Sequence, residues 1–323
     1  MILPAVVTET TRGAARKIFG ASARNKLIPV LRAYTRYAPT AAGKQLLWRS
    51  LISPHFGWLP HDFEVTTRFG TRMRGNTRDF IQRHVYYFGL WEPDLTRFLA
   101  GRLRPGDVFI DVGANVGYFS LQAAQLVGPT GAVVAIDASP SIYEKLQENI
   151  ALNGAHGVRA VNLAVSDQAT QLRLYLGPSD NLGGTTLVAE GTAGATFECV
   201  VDALPLGDVV TPDEWRRARI VKVDVEGAEA AVAAGMAPLL ARGRQDLEVV
   251  MEIAPRMLER QGKRPEDVQG VFRAAGFHAY GLRNDYSTDS YFEGAAAPRP
   301  TRITEPLLTQ TDVIFSRVDA SVL

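Results

Sequence analysis

Cysteine is almost absent. Cys199 is the only one in 323 residues, so no disulfide can form within the chain and a reducing compartment is expected. It sits in the strand-like run 196–202, with no histidine nearby in sequence to activate it, and reads as a packing residue. A surplus of one charge is lacking too. The 35 Lys and Arg residues stand against 34 Asp and Glu, a formal net charge of +1. A dedicated nucleic-acid binder would carry a basic stripe or a high pI, so no nucleic-acid partner is expected. No apolar run approaches the roughly 18 residues needed to span a bilayer. The N-terminus has no secretory apolar core and no obvious cleavage site, and a cytoplasmic protein is expected. Repeats and long low-complexity tracts are missing. Histidine is sparse: His55, His61, His84, His156 and His278. His84 stands beside Tyr86, Tyr87 and Phe88, and a histidine in such a stretch reads as packed or hydrogen-bonded scaffold.

Hydrophobic residues make up 46% of the chain and charged residues 21%, an ordinary globular composition. The length allows one enlarged domain, or a domain with an extension. Residues 1–50 differ from the rest: nine Lys/Arg (Arg12, Arg16, Lys17, Arg24, Lys26, Arg32, Arg36, Lys44, Arg49) face a single acid, Glu9. This reads as a helical extension, solvated or packed on the main domain. Contact with an anionic membrane surface is the other expectation, which would make the protein membrane-associated. The expected division is 1–75, helical and then a strand pair turning at Phe69-Gly70, followed by a main domain over 76–323.

In that domain strand and helix signals alternate. The predicted strands are 108–112, 132–137, 158–165, 220–225, 247–253, 277–282 and 312–315; helices are expected over 92–103, 117–127 and 140–153. The strands are short, nearly continuous apolar runs, as in sheets covered on both faces. Alternating β and α elements predict an α/β fold with a doubly wound, mostly parallel sheet. An inserted hairpin over 171–202, with the Gly-rich tip Asn181–Thr186, and a polar loop over 283–310 break the rhythm; long loops of this kind are often lids or acceptor loops.

The segment Asp111-Val-Gly113-Ala114-Asn115-Val-Gly117 ends the first of these strands and opens a helix. In open α/β sheets, ligands bind beyond such strand ends. Glycines allow close backbone approach, and a helix N-terminus suits an anion. Nicotinamide and flavin enzymes use a similar turn. An acid at Asp111, however, would repel a pyrophosphate and suits the ammonium of S-adenosylmethionine, whose carboxylate would take the helix end. Asp137, closing the second strand, is placed to accept ribose hydroxyls, with Ala138 beside it; Ser139 serves as the N-cap before Pro140. Asp167 is placed for the adenine amino group, or as a simple turn residue.

Residues Asp111–Tyr118, then Asn149 and Leu152-Asn153, then Val221-Lys222-Val-Asp224-Val-Glu226-Gly227-Ala-Glu229 together resemble the FkbM family of methyltransferases over roughly 86–282. The resemblance implies a class I, Rossmann-like seven-stranded fold. It also implies O-methylation of natural products, polyketides or sugars. The family commonly has Glu-Pro where Asp137-Ala138-Ser139-Pro140 stands here, so the acid is kept. By the same resemblance Glu92 approaches the cofactor; a helix-opening Glu before Pro93 is the alternative.

The run Lys222–Glu229 puts four charged side chains at the end of a strand expected to be central, and charges there are costly unless paired or used. Methyl transfer to a hydroxyl needs positioning and a base to take the proton. Asp224 and Glu226 are the candidate bases, with Lys222 orienting them or stabilising a developing alkoxide; a purely structural Lys–carboxylate network is the alternative. A divalent metal held by Asp224, Glu226 and Glu252 is a third reading, but no His/Asp ligand spacing supports it and no metal is expected. The resulting expectation is an S-adenosylmethionine-dependent O-methyltransferase acting on a small-molecule, sugar or lipid-linked acceptor. The competing classes are a nicotinamide-dependent oxidoreductase and a non-catalytic cofactor-binding protein.

Overall fold

The computed structural model describes residues 21–38, 43–56, 59–155, 157–177, 196–283, 288–291 and 299–323. The chain forms two compact units: 1–93 with 179–181 and 285–296, and 94–178 with 182–284 and 297–323. The boundary expected after residue 75 lies inside the first unit. Arg12, Arg16, Lys17, His156 and the hairpin tip Asn181–Thr186 lie outside the described residues.

The first unit contains helices α1 (Ala21–Tyr37) and α2 (Lys44–Leu47), a π-helical run Trp48–Phe56, strands β1 (Asp62–Thr66) and β2 (Arg72–Asn76), helix α3 (Phe80–Phe88) and a short turn Thr288–Tyr291. Strands β1 and β2 pair antiparallel, with Val65 opposite Met73, and the alternation of Phe63 and Val65 puts both on the buried face. The connection turns at Gly70, whose φ is 93°. The Asp79 side chain accepts from the Gln82 N–H and caps α3, and Gly89 ends it in the left-handed conformation. Helix α1 is tied to α3 by Arg32 Nε donating to the Tyr86 carbonyl (2.9 Å) and by the Thr35 hydroxyl donating to that of Tyr87 (3.1 Å).

The second unit runs α4 (Pro93–Arg102), β3 (Val108–Val112), α5 (Tyr118–Val127), β4 (Ala132–Asp137), α6 (Pro140–Leu152), β5 (Val158–Asn162), β6 (Ala164–Val165), β7 (Thr170–Leu176), β8 (Thr196–Leu204), α7 (Leu206–Val209), α8 (Pro212–Arg217), β9 (Ala218–Val223), α9 (Glu229–Leu240), β10 (Glu248–Ile253), α10 (Pro255–Glu259), α11 (Pro265–Ala274), β11 (His278–Leu282), β12 (Thr301–Arg302) and β13 (Thr311–Ser316). The main sheet has the order β12-β11-β13-β10-β9-β3-β4-β5. Strands β10, β9, β3, β4 and β5 are mutually parallel, and β13 is antiparallel to both β10 and β11. Leaving aside the two-residue edge strand β12, this is the expected seven-stranded, mostly parallel sheet. The strand order reverses between β3 and β9, the switch point where open α/β sheets take their ligands.

The core explains why these runs are strands. Val108, Ile110, Val112, Val221, Val223, Val249 and Met251 are buried with Val232, Met236 and Leu240 of α9. Phe272 of α11 stacks on Phe315 at 3.8 Å. Two boundaries differ from expectation. The strand predicted over 158–165 divides: β6 leaves the main sheet and joins β8 and β7 in a separate three-stranded sheet, whose β7–β8 pair is the expected hairpin. Strand β9 ends at Val223, two residues early, although the Asp224 N–H still donates to the Val112 carbonyl at 2.9 Å.

Candidate active site

The β3–α5 turn is built by backbone and side chains together. The Gly113 and Ala114 N–H groups both donate to the Ile136 carbonyl at 2.9 Å, and the Asn115 N–H donates to Asp137 Oδ2 at 2.8 Å. Those three amides are therefore engaged, which narrows the expected anion seat to the first turn of α5, where no side chain caps the helix. Asn115 and Gly117 are left-handed, at φ 51° and 90°. The Asn149 side chain of α6 donates to the Val116 carbonyl at 2.9 Å, which explains why an asparagine so distant in sequence belongs with the turn. A Cβ on Gly113 would overlap the Asp224 carbonyl oxygen, and one on Gly117 would press on Leu146. Only glycine lets the turn lie against the end of β9.

Asp137 ends β4 with its carboxylate held on both sides. Besides Asn115, the Ser139 N–H donates to Oδ1 at 3.0 Å. Burial pushes its pKa up to about 6 against the pull of these two bonds. A carboxylate accepts about four hydrogen bonds, so acceptor capacity remains for the two hydroxyls of a ribose. Ala138 follows it, and the Asn162 side chain donates to the carbonyls of both residues. Asp167 stands exposed after β6, its Oδ1 accepting from the Ser166 hydroxyl at 3.1 Å. Glu92 belongs to the first unit; it is buried with a left-handed backbone, φ 40°.

Asp111, expected to meet the cofactor ammonium, is 0% exposed at the end of β3. Its register neighbour across the β3–β9 pair is Lys222, and pleating therefore puts both side chains on one face of the sheet. Lys222 Nζ lies 3.6 Å from Asp111 Oδ1 and 3.1 Å from Asp224 Oδ2, 5.2 Å from the centre of the Phe119 ring. The Ser120 hydroxyl donates to Asp111 Oδ2 at 2.6 Å. Burial raises the Asp111 pKa, while Lys222 and then Ser120 pull it down. Ser120 and Phe119 carry no signal in the sequence; they enter because the first turn of α5 returns over the end of β3.

Beyond β9 the chain carries its carboxylates forward. Asp224 and Glu226 are half-buried, as is Glu252 near the end of β10, and oxygens of the three lie within 4.8 Å of one another. Glu226 is left-handed at φ 46°, followed by Gly227 at 106°, a conformation costly for a non-glycine residue and typical of functional loops. Glu229 is 1% exposed, accepts from the Gly227 N–H at 2.8 Å and braces this bend; the Gln261 side chain donates to the Gly227 carbonyl. Burial, then the negative charges of Asp224 and Glu229, push Glu226 up to about 8. Burial takes Glu229 to about 7. Lys222, Asp224 and Glu226, expected together from the sequence, lie together; nothing in the local sequence marks Gln261, just past the end of α10.

A seven-stranded sheet of this order, with a glycine turn and a ribose-type acid at its switch point, is the architecture of an S-adenosylmethionine-dependent class I methyltransferase. The family model described as the methyltransferase FkbM domain matches residues 111–279, more than half of the chain, and the chain belongs to the FkbM methyltransferase family. It is 30% identical over 217 residues to methyltransferase sdnD of Sordaria araneosa, covering 58% of this chain and 80% of that protein. It is 29% identical over 160 residues to 31-O-demethyl-FK506 methyltransferase FkbM of Streptomyces tacrolimicus, covering 42% of this chain and 61% of that one. Among solved structures, M. jannaschii TYW2 in complex with AdoMet has 13% identity and a TM-score of 0.40, over 80% of this chain and 87% of that chain. The chain is thus an S-adenosylmethionine-dependent enzyme, and the nicotinamide and non-catalytic readings fall.

Proposed function

We propose that this methyltransferase acts on a hydroxyl group of a small-molecule, sugar or lipid-linked acceptor, with Asp224 and Glu226 as the bases. The observation that carries the reading is the contact between the two motifs: the Asp224 carbonyl lies against Gly113, so the acid-bearing bend adjoins the cofactor turn. The relative named for a 31-O-demethyl acceptor supports a hydroxyl as the target.

The residues fit the cofactor. Asp137 would hold the ribose, the first turn of α5 the carboxylate, Ala114, Asn115 and Ala138 the neighbouring walls, and Asp167 the adenine edge. When bound, S-adenosylmethionine supplies an already activated methyl group. The chain's own task is to seat the acceptor and take its proton. Glu226, whose pKa is pushed up to about 8, is ionised and able to take the acceptor's proton only as the pH reaches and passes that value. Asp224 is oriented by Lys222, and Asp111, itself fixed by the Ser120 hydroxyl, holds that lysine in place.

Labelled-methyl transfer to extracts of the source cell, with the product identified by mass spectrometry, tests the acceptor class; a label on nitrogen or carbon would overturn it. Asp224→Asn and Glu226→Gln should each slow turnover by about 10²–10⁴-fold while leaving cofactor affinity nearly unchanged. Wild-type rates in both would remove the base assignment. Because a carboxylate works as a base only when ionised, the rate should climb as pH rises to about 8 and level off above it. The carboxylate group acts here without a metal, so EDTA should leave the rate unchanged; a loss restored by Mg²⁺ or Mn²⁺ would assign Asp224, Glu226 and Glu252 to a cation instead.

A further inference from the structure

Between Glu9 and Asp62 the chain has no acidic residue, yet it carries nine Lys and Arg. Within this stretch α1 has two faces. Ile28, Leu31 and Thr35 are buried, whereas Val30, Tyr34 and Tyr37 are 63%, 41% and 67% exposed. The exposed set is spaced i, i+4, i+7, which aligns it on one side of the helix. Helix α2 starts close to this face. Gly43 at its start lies beside the Tyr34 hydroxyl, which a Cβ there would meet at 3.3 Å; Leu46 is 70% exposed, and Arg49 is exposed as well. Single exposed apolar residues are common on soluble proteins. A row of them on one helix face, in a segment with no negative charge, has a different character.

We propose that this face of the N-terminal unit docks on an anionic membrane surface. Tyr34 and Tyr37 have the apolar ring and polar tip that settle at headgroup level. Val30 and Leu46 would enter the acyl boundary and the exposed Arg49 would meet anionic headgroups, whereas Lys44 is buried and Arg32 and Arg36 donate to the Tyr86 and Thr66 carbonyls. A second copy of the chain is the poorer occupant, because the same acid-free segments would face each other and repel. Nucleic acid is poorer too, since Val30 and Leu46 have nothing to pair with on a phosphate backbone. Among the described residues no helix is long and apolar enough to cross a membrane, so the attachment is peripheral. The inference does not depend on the methyl-transfer chemistry.

Co-sedimentation of the full chain with phosphatidylcholine vesicles, with and without phosphatidylserine, tests it. Binding should appear only with phosphatidylserine and fade as salt rises, because the attraction is screened. Arg49→Ala should weaken partition about fivefold, and Tyr34→Ser with Tyr37→Ser should weaken it further. Each variant should keep the wild-type melting curve and S-adenosylmethionine affinity, which separates failed docking from failed folding. Equal binding to neutral vesicles, no binding to anionic ones, or variants that sediment like wild type would overturn the proposal. So would ultracentrifugation showing a dimer that the tyrosine variants dissolve, or retention on nucleic acid in place of vesicles.

Discussion

Lys222 is 4% exposed and lies between two carboxylates that need it for different reasons. Asp111 is sealed in the sheet and has its negative charge balanced there; Asp224 is half-buried and is aimed by the same ammonium. Removing one partner of a buried pair leaves the other uncompensated, at a cost of about 3–5 kcal/mol. Lys222→Met should therefore lower stability by about that amount in chemical unfolding, and adding Asp111→Asn should recover a substantial part. Additive losses from the two substitutions would mean that the pair does not interact. The motif residues at this scale were legible because glycine, acid and lysine at strand ends have few other uses. The burial of Asp111 was not legible: it follows from the β3–β9 register and from Ser120 returning on α5, and neither is a local property of the chain.

At the scale of elements, α3 shows how a titratable side chain becomes part of a scaffold. His84 donates from Nδ1 to the Phe80 carbonyl at 2.8 Å, in the tautomer that bond selects. It packs among the rings of Trp48, Phe80, Phe88, Trp91 and Tyr291. Burial, then the charge of Arg83, lowers its pKa to about 3. The unfolded chain takes up a proton near pH 6.5 and the folded chain does not. The stability this neutral histidine allows is complete above pH 6.5 and is lost as pH falls towards 3, at up to about 1.4 kcal/mol per pH unit. Urea unfolding between pH 7 and 4 should show a steeper loss for wild type than for His84→Phe; parallel curves would place the proton elsewhere. Most element types were readable from periodicity, since β3, β4, β9 and β10 are nearly unbroken apolar runs. Their ends were less so. Strand β9 stops at Val223 because the chain must bend at Glu226-Gly227, and β6 leaves the main sheet because β8, nearly forty residues later, pairs with it. Such partners cannot be read from a strand's own residues.

For the molecule as a whole, the account joins a family-defined methyltransferase sheet to a cofactor seat at its switch point, with the acceptor base one strand away. The reversal of strand order between β3 and β9 brings Asp111–Gly117 and Lys222–Glu229 side by side although more than a hundred residues separate them. Everything proposed for Asp224 and Glu226 depends on that seat taking S-adenosylmethionine. Calorimetric titration of the folded chain with S-adenosylmethionine, and separately with NADH, tests this most directly. The account predicts saturable one-site binding of S-adenosylmethionine, weakened at least about tenfold by Asp137→Ala through loss of ribose hydrogen bonds to an ionised acceptor, and no heat with NADH. A folded chain that binds NADH, or that gives no signal with S-adenosylmethionine, would contradict it.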